Sequence, residues 1–405
     1  MENGNPATAA AILPEEIITD ILLRLPVKSL LKFKCVCKPW LLHISSPKFA
    51  KTHLKTSTAH NSSVSARENL IFGLITNNDG SLYTCPINSA IDGSVMADPY
   101  TGCLYSVDNN RDPIPVDVSP LDCPPIAPDI YLTMIGSCNG LVCFILSYSS
   151  DQPKCSICIM NPATRKMEIL PESNSPCNYL LYFPNSYSFG YDEVHDDFKV
   201  IEVHSFTMIW NDEHESHAMI YSSRANSWKP LSWPGADTGG QEGKFLNGSI
   251  HWYVEVSAGR RDIVSLNLST ETFTRLPIPP EDFGNCNSFG GVVVGVFGGC
   301  LAICRVNRAG IVVWVMKEYG VGESWAKVVE APFPVDPLEH GFLVPRPLFV
   351  SVDARTMLIN YGRSLFWYDS GNMGPHHFDT SKEIDATTYA ESLCWLTLDE
   401  DDEGL

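Results

Sequence analysis

A turn dipeptide leading into an apolar strand recurs along the chain, and it restricts the possible folds more than any other feature. CNGLVCFIL, LNGSIHWYV and FGGCLAICR open on Asn139-Gly140, Asn247-Gly248 and Gly298-Gly299. Asn and Gly tolerate the positive φ angles that a two-residue hairpin demands. In LNGSIHWYV and its continuation, Ile250, Trp252, Val254 and Val256 alternate onto one face, the period of a strand. Downstream of each opening comes a second strand, a polar turn and a short closing strand. SICIMNPATRKMEILP and IVSLNLSTETFTRLPIP align, since Asn161 to Pro171 and Asn267 to Pro277 are both 10 residues apart. AMIYSSRANSWKPLSWP and VVWVMKEYGVGESWAKVVEAP repeat the theme, with Trp228 and Trp325 in the closing strands.

Comparable middle strands fall near residues 159, 220, 266, 314 and 367, in steps of 61, 46, 48 and 53. Four-stranded propeller blades repeat at about 40 to 50 residues, with insertions in the loops. LIFGLITNNDGSLYTCPI, residues 70 to 87, adds an incomplete first unit, for about six blades in all. Closing the ring removes the exposed edges that a long β array would otherwise present.

The first sixty residues follow a different period. Ile17, Ile18, Ile21, Leu22 and Leu25 form one helical stripe, which ends where Pro26, Lys28 and Ser29 interrupt it. Further stripes begin at Val27, Trp40 and Phe49, and a proline opens each segment: Pro14, Pro26, Pro39 and Pro47. Proline suits the first helical position, where its missing N–H has no partner anyway, and Ser46 is a good N-cap for the last segment. The spacing thus predicts four helices of roughly ten residues, each marginal alone, in a module small enough to need a partner surface. The expected organisation is α+β in two modules: a disordered start (1–11), a helical module (12–55), a Ser/Thr/Asn-rich linker (56–68), a mainly β, propeller-like domain (69–396) and an acidic tail (397–405).

Charge divides along the same line. The chain of 405 residues carries −19, but residues 12 to 60 hold eight Lys/Arg against three acidic groups, a local +5 that leaves −24 elsewhere. Such an acidic body disfavours nucleic acid as a partner. The lysines at 28, 32, 34 and 38 then read as a solvated face or one that meets an acidic protein. The start has no basic, apolar leader, and GVVVGVFGGCLAIC is only 14 residues long, short of the ~20 that cross a bilayer. Cytoplasm or nucleus is the expected location, with the 14 cysteines reduced and no membrane partner.

LPEEIITDILLRLPVKSLLKFKCVCKPW resembles the F-box, in which L-P and an acidic pair lead into R-L-P-V-K-S-L and then K-C-V-x-K-x-W. Pro39 stands where the family often has serine. The resemblance implies docking on a Skp-family adaptor and, through it, a cullin. Carried over residue by residue, the adaptor-binding candidates are Leu13, Pro14, Ile17, Ile21, Leu25, Pro26, Val27, Leu30, Leu31, Cys35, Val36, Cys37 and Trp40. GSCNGLVCF, IMNPATRK, SFGYDEVHDDFKVIEV, YSSRANSWK, FLNGSIHWYV, SLNLSTETF and the late YAESL resemble the F-box-associated interaction domain of plant F-box proteins. That family supplies recognition of a protein target for an SCF ubiquitin ligase and no catalysis. No cofactor is implied, and a binding scaffold that acts without ubiquitination is the alternative.

Other motifs could carry chemistry and are weighed against bland readings. Cys35-x-Cys37 lacks further ligands at metal-site spacing, and Cys35 continues the Leu31 stripe, which favours packing. Gly136-x-Cys138-x-Gly140 has the form of a nucleophile elbow, whose use by a hydrolase would require a helix after it; strand follows. Cys155-x-x-Cys158 lies in a predicted strand, where residues three apart face opposite ways. His214-x-x-His217 beside Asp212 and Glu213 reads as a charged loop tip before a zinc site, and Gly290 to Gly299 lacks the Lys-Ser/Thr of a phosphate loop. Asp192, Glu193, Asp196 and Asp197 read as a solvated hairpin tip. Target specificity is expected in loops such as 88 to 130 and 205 to 217, which carry no recognisable code.

Overall fold

The computed structural model describes residues 14–59 and 68–396, apart from 76–79, 88–94, 98–103, 108–112, 115–118, 127–129, 149–153, 174–185, 208–213, 236, 258–259, 281–290, 308–309, 333–345, 352, 362–363, 370–371 and 380–382. Four helices come first: α1 (Glu15–Leu23), α2 (Val27–Phe33), α3 (Lys38–Ser45) and α4 (Pro47–Ala59). Only Pro47 takes the first helical position. Pro14 and Pro26 sit just outside as N-caps in extended conformation, and Pro39 follows Lys38 inside α3. The Pro14 and Pro26 carbonyls still accept the first helical hydrogen bonds, so proline marks each start from either side of the boundary. Ser46 caps α4 as expected, with Oγ accepting from the Phe49 N–H at 3.2 Å. The helix continues to Ala59, past residue 55, into the stretch read as linker.

Six four-stranded antiparallel sheets follow. The third strands of blades 2 to 6 are Lys154–Asn161, His214–Ser222, Arg260–Asn267, Gly310–Met316 and Ser364–Asp369, and each contains one of the five middle-strand positions. The incomplete first unit is completed from far away. Glu68–Ile75 pairs with Gly80–Pro86 on one side and on the other with the last strand, Glu383–Ala390, over eight residues in register from Glu68↔Ala390 to Ile75↔Glu383. Ser119–Ile126 is the fourth strand of this blade, and a small sheet of Val95–Ala97, Leu104–Val107 and Pro113–Ile114 precedes it. The stretch 88 to 130 is therefore partly strand. So are the ends of 205 to 217, because Thr207 pairs with His214. His214 and His217 thus lie in a ladder and not at a loop tip.

The turns follow from their residues. All three dipeptides have both φ values positive: 51° and 81° at Asn139-Gly140, 51° and 73° at Asn247-Gly248, 56° and 75° at Gly298-Gly299. A second turn recurs at the end of third strands. The Asn161 and Asn267 side chains each accept two backbone N–H groups, from Ala163 and Thr164 and from Ser269 and Thr270. The chain then reverses through a left-handed residue, Arg165 or Glu271. Neighbouring blades are latched by the repeated tryptophan: the Trp228 indole donates to the Pro171 carbonyl at 2.7 Å and Trp325 to Pro277 at 2.9 Å. This is why the Asn-to-Pro spacing is kept in both units.

Alternation along Ser249–Ser257 does not separate core from solvent. Ile250, Trp252 and Val254 pack into one cluster, while Tyr253 joins another on the opposite face. Each blade is sandwiched between two others, so both faces are interior. His251 shares that second face and is fully buried; its imidazole is 3.2 Å from the Lys244 carbonyl through Nδ1 and 2.7 Å from the Tyr319 hydroxyl through Nε2. Burial lowers its pKa to about 4, against the opposing pull of the Lys244 carbonyl. An unfolded histidine takes up its proton near ~6.5, so this stabilisation is complete above that pH and is lost as pH falls from there to about 4. Acidification from pH 7 to pH 5 is expected to cost the wild type about 2 kcal/mol more unfolding free energy in urea than it costs His251→Gln.

Candidate functional site

The helices build a small core and leave several large apolar side chains uncovered. Leu22, Leu30, Ile44 and Phe49 form the interior, with Ile18, Leu23, Leu25, Phe33 and Trp40 packed around them. His43 Nε2 meets the Thr19 hydroxyl at 3.1 Å and His53 Nε2 the Leu25 carbonyl at 2.8 Å, tying α3 to α1 and α4 to the turn that follows α1. Outside this core, Ile17 is 46% exposed, Ile21 48%, Val36 60%, Leu41 43% and Leu42 66%. Five of the nine large apolar side chains exposed among the described residues thus fall on one module. Ile17 and Ile21 are one helical turn apart on α1. Grouped exposure of apolar side chains is a feature of interaction surfaces in general.

The thirteen candidates divide accordingly. Pro14, Ile17, Ile21, Pro26, Cys35, Val36 and Cys37 are exposed, and Leu25, Leu31 and Trp40 are half-buried. Val27 and Leu30, at 3% and 0% exposure, lie in the interior of the module, because residues three apart on α2 share the face turned toward the other helices. Leu13 lies outside the described residues. Cys35 and Cys37 face solvent on either side of Val36 and so are not part of a packed stripe. Leu41 and Leu42 were not among the candidates. Their signal was local: with Trp40 and Ile44 turned inward four residues apart, the two leucines between them must point away.

The remaining motifs are structural. Cys138 pairs with Leu141 across the hairpin, with strand on both sides, and burial pushes its thiol far up, against nucleophilic use. Cys155 is exposed and Cys158 fully buried, on opposite faces of their strand. Among the described residues no three His, Cys, Asp or Glu gather as metal ligands. Gly291 to Gly299 is a strand, Val292–Phe297, entering its hairpin.

The acidic turn departs most from its sequence reading. Asp192 and Asp197 are 0% and 4% exposed. Asp192 is bound by the Ser269 hydroxyl, by His195 and, at 3.3 Å, by Lys199, whose ammonium also reaches the Leu268 carbonyl at 2.6 Å. Burial alone would raise the Asp192 pKa, but these hydrogen bonds outweigh it and hold the carboxyl at about 2. Asp197 collects Ser222, Ser223 and the Arg224 N–H. Only Glu193 and Asp196 face outward, and both meet α4: Lys55 lies 3.1 Å from Glu193, and Lys51 pairs with Asp196. A solvated tip would have needed no partners; this one fastens blade 3 to blade 4 and to the helices.

At the centre of the ring lies a cavity of about 230 Å³, lined by the first strands of blades 2 to 6 and by Glu383–Ala390. Those strands run toward the helices, since Ile130–Cys138 ends in the Asn139-Gly140 turn, whose Asn139 carbonyl holds Ser392. The strand starts therefore form the mouth at the far side. There the Arg346 guanidinium donates to Glu242 at 2.8 Å and Asp385 at 2.6 Å, while Lys244 takes the other Glu242 oxygen at 3.1 Å and the Met134 N–H binds Asp385 at 2.8 Å. Burial pushes the Asp385 carboxyl up and Arg346 opposes it.

The division into core and surface makes a direct prediction. Leu30→Ala should cost about 2 to 5 kcal/mol in chemical unfolding of the helical module, whereas Leu42→Ser should stay within about 0.5 kcal/mol of wild type.

Comparison with known proteins agrees with this two-part architecture. Residues 11–52 match the F-box domain and residues 94–365, more than half of the chain, match the F-box associated beta propeller domain. The chain is similar to the F-box/kelch-repeat protein At3g23880 of Arabidopsis thaliana, with 31% identity over 94% of this chain and 95% of that one. It is also similar to the F-box protein CPR1 of Arabidopsis thaliana, with 27% identity over 89% of this chain and 82% of that one. Among solved structures, TolB from Acinetobacter baumannii aligns over 85% of this chain and 72% of that one, at a TM-score of 0.44 and 10% identity, which is too distant to bear on function. The chain belongs to the plant F-box proteins that carry a C-terminal F-box-associated β-propeller.

Proposed function

We propose that this protein is the substrate-recognition subunit of an SCF ubiquitin ligase. In this reading its helices dock on a Skp-family adaptor, which joins it to a cullin, and its propeller holds a protein target. The observation that carries the proposal is the exposed face of Ile17, Ile21, Val36, Leu41 and Leu42. A module this small cannot cover it, and an adaptor helix laid across it would. The exposed members of the expected contact set, Pro14, Ile17, Ile21, Pro26, Cys35, Val36 and Cys37, lie in the same module, and Leu13 directly precedes it.

The mechanism is positional. Ubiquitin transfer belongs to other subunits, and holding a target beside them raises its effective concentration. The target's place is the face away from the helices, around the mouth that carries Arg346, Glu242, Lys244 and Asp385. The two-residue turns on the helical side leave little to vary, whereas the longer connections between blades leave from the far side. No step requires a catalytic residue, metal or cofactor of this chain. Assembly of this kind takes place in cytoplasm or nucleus, and among the described residues no helix is long and apolar enough to cross a membrane.

The test is adaptor binding. A double Val36→Asp/Leu42→Asp variant, with unchanged circular dichroism, is expected to bind a Skp-family adaptor at least about thirtyfold more weakly than wild type, the loss of one or two central anchors. The Leu13→Ala/Pro14→Ala double should weaken it in the same direction. A well-folded wild type that shows no binding overturns the reading.

A further inference from the structure

The cavity at the centre of the ring is small, and its mouth is already neutral. Its volume of about 230 Å³ is below the ~300 to 1,000 Å³ of sites that enclose a whole drug-sized ligand, and holds on the order of eight waters at ~30 Å³ each. One large side chain fills such a space. Phe245, Val296 and Leu348, from blades 4, 5 and 6, line it as half-buried apolar residues.

The charged groups at the mouth are Lys244 and Arg346 against Glu242 and Asp385, and their pairing leaves one kind of hydrogen-bonding capacity over. Both Glu242 oxygens are engaged, Oε1 by Arg346 at 2.8 Å and Oε2 by Lys244 at 3.1 Å. Both Asp385 oxygens are engaged too, Oδ1 by Arg346 at 2.6 Å and Oδ2 by the Met134 N–H at 2.8 Å. The guanidinium also reaches the Met134 carbonyl at 3.4 Å. An ammonium and a guanidinium carry more N–H groups than these contacts use, so what the mouth still offers is donors. A cationic ligand finds each carboxylate oxygen already held. An anionic one would sit beside Glu242 and Asp385, where burial already pushes the Asp385 carboxyl up. The group that fits is uncharged and brings acceptor oxygens, as a peptide carbonyl does.

The segment that carries Glu242 and Lys244 is fixed before any ligand arrives. The Gly243 N–H donates to Ser188 Oγ of blade 3 at 2.9 Å, and Ser186 Oγ donates to the Gln241 carbonyl. Ser186 and Ser188 are both fully buried. Close approach requires glycine at 243, since a Cβ there would stand 2.4 Å from Ile250 and 2.5 Å from Trp252 in the core of blade 4. A rim held in this way loses little entropy when a carbonyl meets it.

We propose that the cavity takes one large, uncharged, apolar side chain from a protruding peptide segment of the target, with the carbonyls flanking that residue accepting from Lys244 and Arg346. This rests on the placement of the target at the mouth in the reading above, and it adds the chemical class that the mouth selects. The determinant is a neutral anchor, which neither an acidic nor a basic group replaces. Leu348 sets the space left for the anchor, and Lys244 supplies a donor to the peptide beside it.

The test uses the full chain and capped probes, acetyl-Gly-Phe-Gly-amide and its counterparts with Lys or Glu in place of Phe, titrated by ligand-detected NMR. The Phe probe is expected to bind at least about tenfold more tightly than either charged one. Leu348→Trp, which fills the cavity, should weaken the Phe probe at least about tenfold, and Lys244→Met, which removes a donor, at least about threefold. Binding of a charged probe as tightly as the Phe probe would overturn the proposal. So would absence of Phe-probe binding at millimolar concentration, or undiminished affinity in a folded Leu348→Trp. If Leu348→Trp loses the wild-type circular dichroism, Lys244→Met decides by the same readout. Adaptor affinity, measured on the same samples, keeps the two readings apart. Adaptor binding without probe discrimination sinks this proposal alone, and probe discrimination without adaptor binding sinks the ligase reading alone.

Discussion

Eight residue pairs between Glu68–Ile75 and Glu383–Ala390 hold the two ends of the β domain together, and most other features of the molecule presuppose them. Without that ladder blade 1 would keep three strands and present an open edge. With it, every blade has a neighbour on both sides, and both faces of strands such as Ser249–Ser257 become interior. The central cavity exists because six first strands are held in a circle.

The polar groups inside this ring are placed where strands must be held against one another. Arg346 reaches carboxylates of the segment before blade 4 and of the closing strand of blade 1, and its own strand belongs to blade 6. Lys199 lies between the Asp192 turn of blade 3 and the Leu268 carbonyl and Glu271 of blade 4. Buried charges of this kind add little to stability over an apolar pair, but each is costly to leave unpaired, which penalises misaligned blades. The tryptophan latches from Trp228 to Pro171 and from Trp325 to Pro277 do similar work with a single neutral donor.

Much of this was legible in the residues. The dipeptide turns announced positive φ at six positions, and the spacing of third strands gave the blade count. The helical stripes gave four helices, with starts displaced by a residue because proline can stand either outside or inside a helix start. What stayed hidden was whatever depended on distant chain segments. Nothing local in EIDATTYA says that it closes blade 1. Nothing in YDEVHDD separates the buried Asp192 and Asp197 from the outward Glu193 and Asp196, since their partners lie on Lys199, Ser222, Ser269 and α4. For the candidate docking face, sequence matching could not tell Val27 and Leu30, which fill the core of the helical module, from Ile17 and Ile21, which do not.

The pairing of Glu68 with Ala390 also has a bearing on time. These residues are 322 positions apart, and a ribosome adding about 5 to 20 residues per second needs on the order of 15 to 60 s to travel between them. Throughout that interval the first strand has no partner on one side. An unpaired strand edge invites pairing with other chains, so the long separation of the two partners leaves this edge exposed for most of the time the protein is being made.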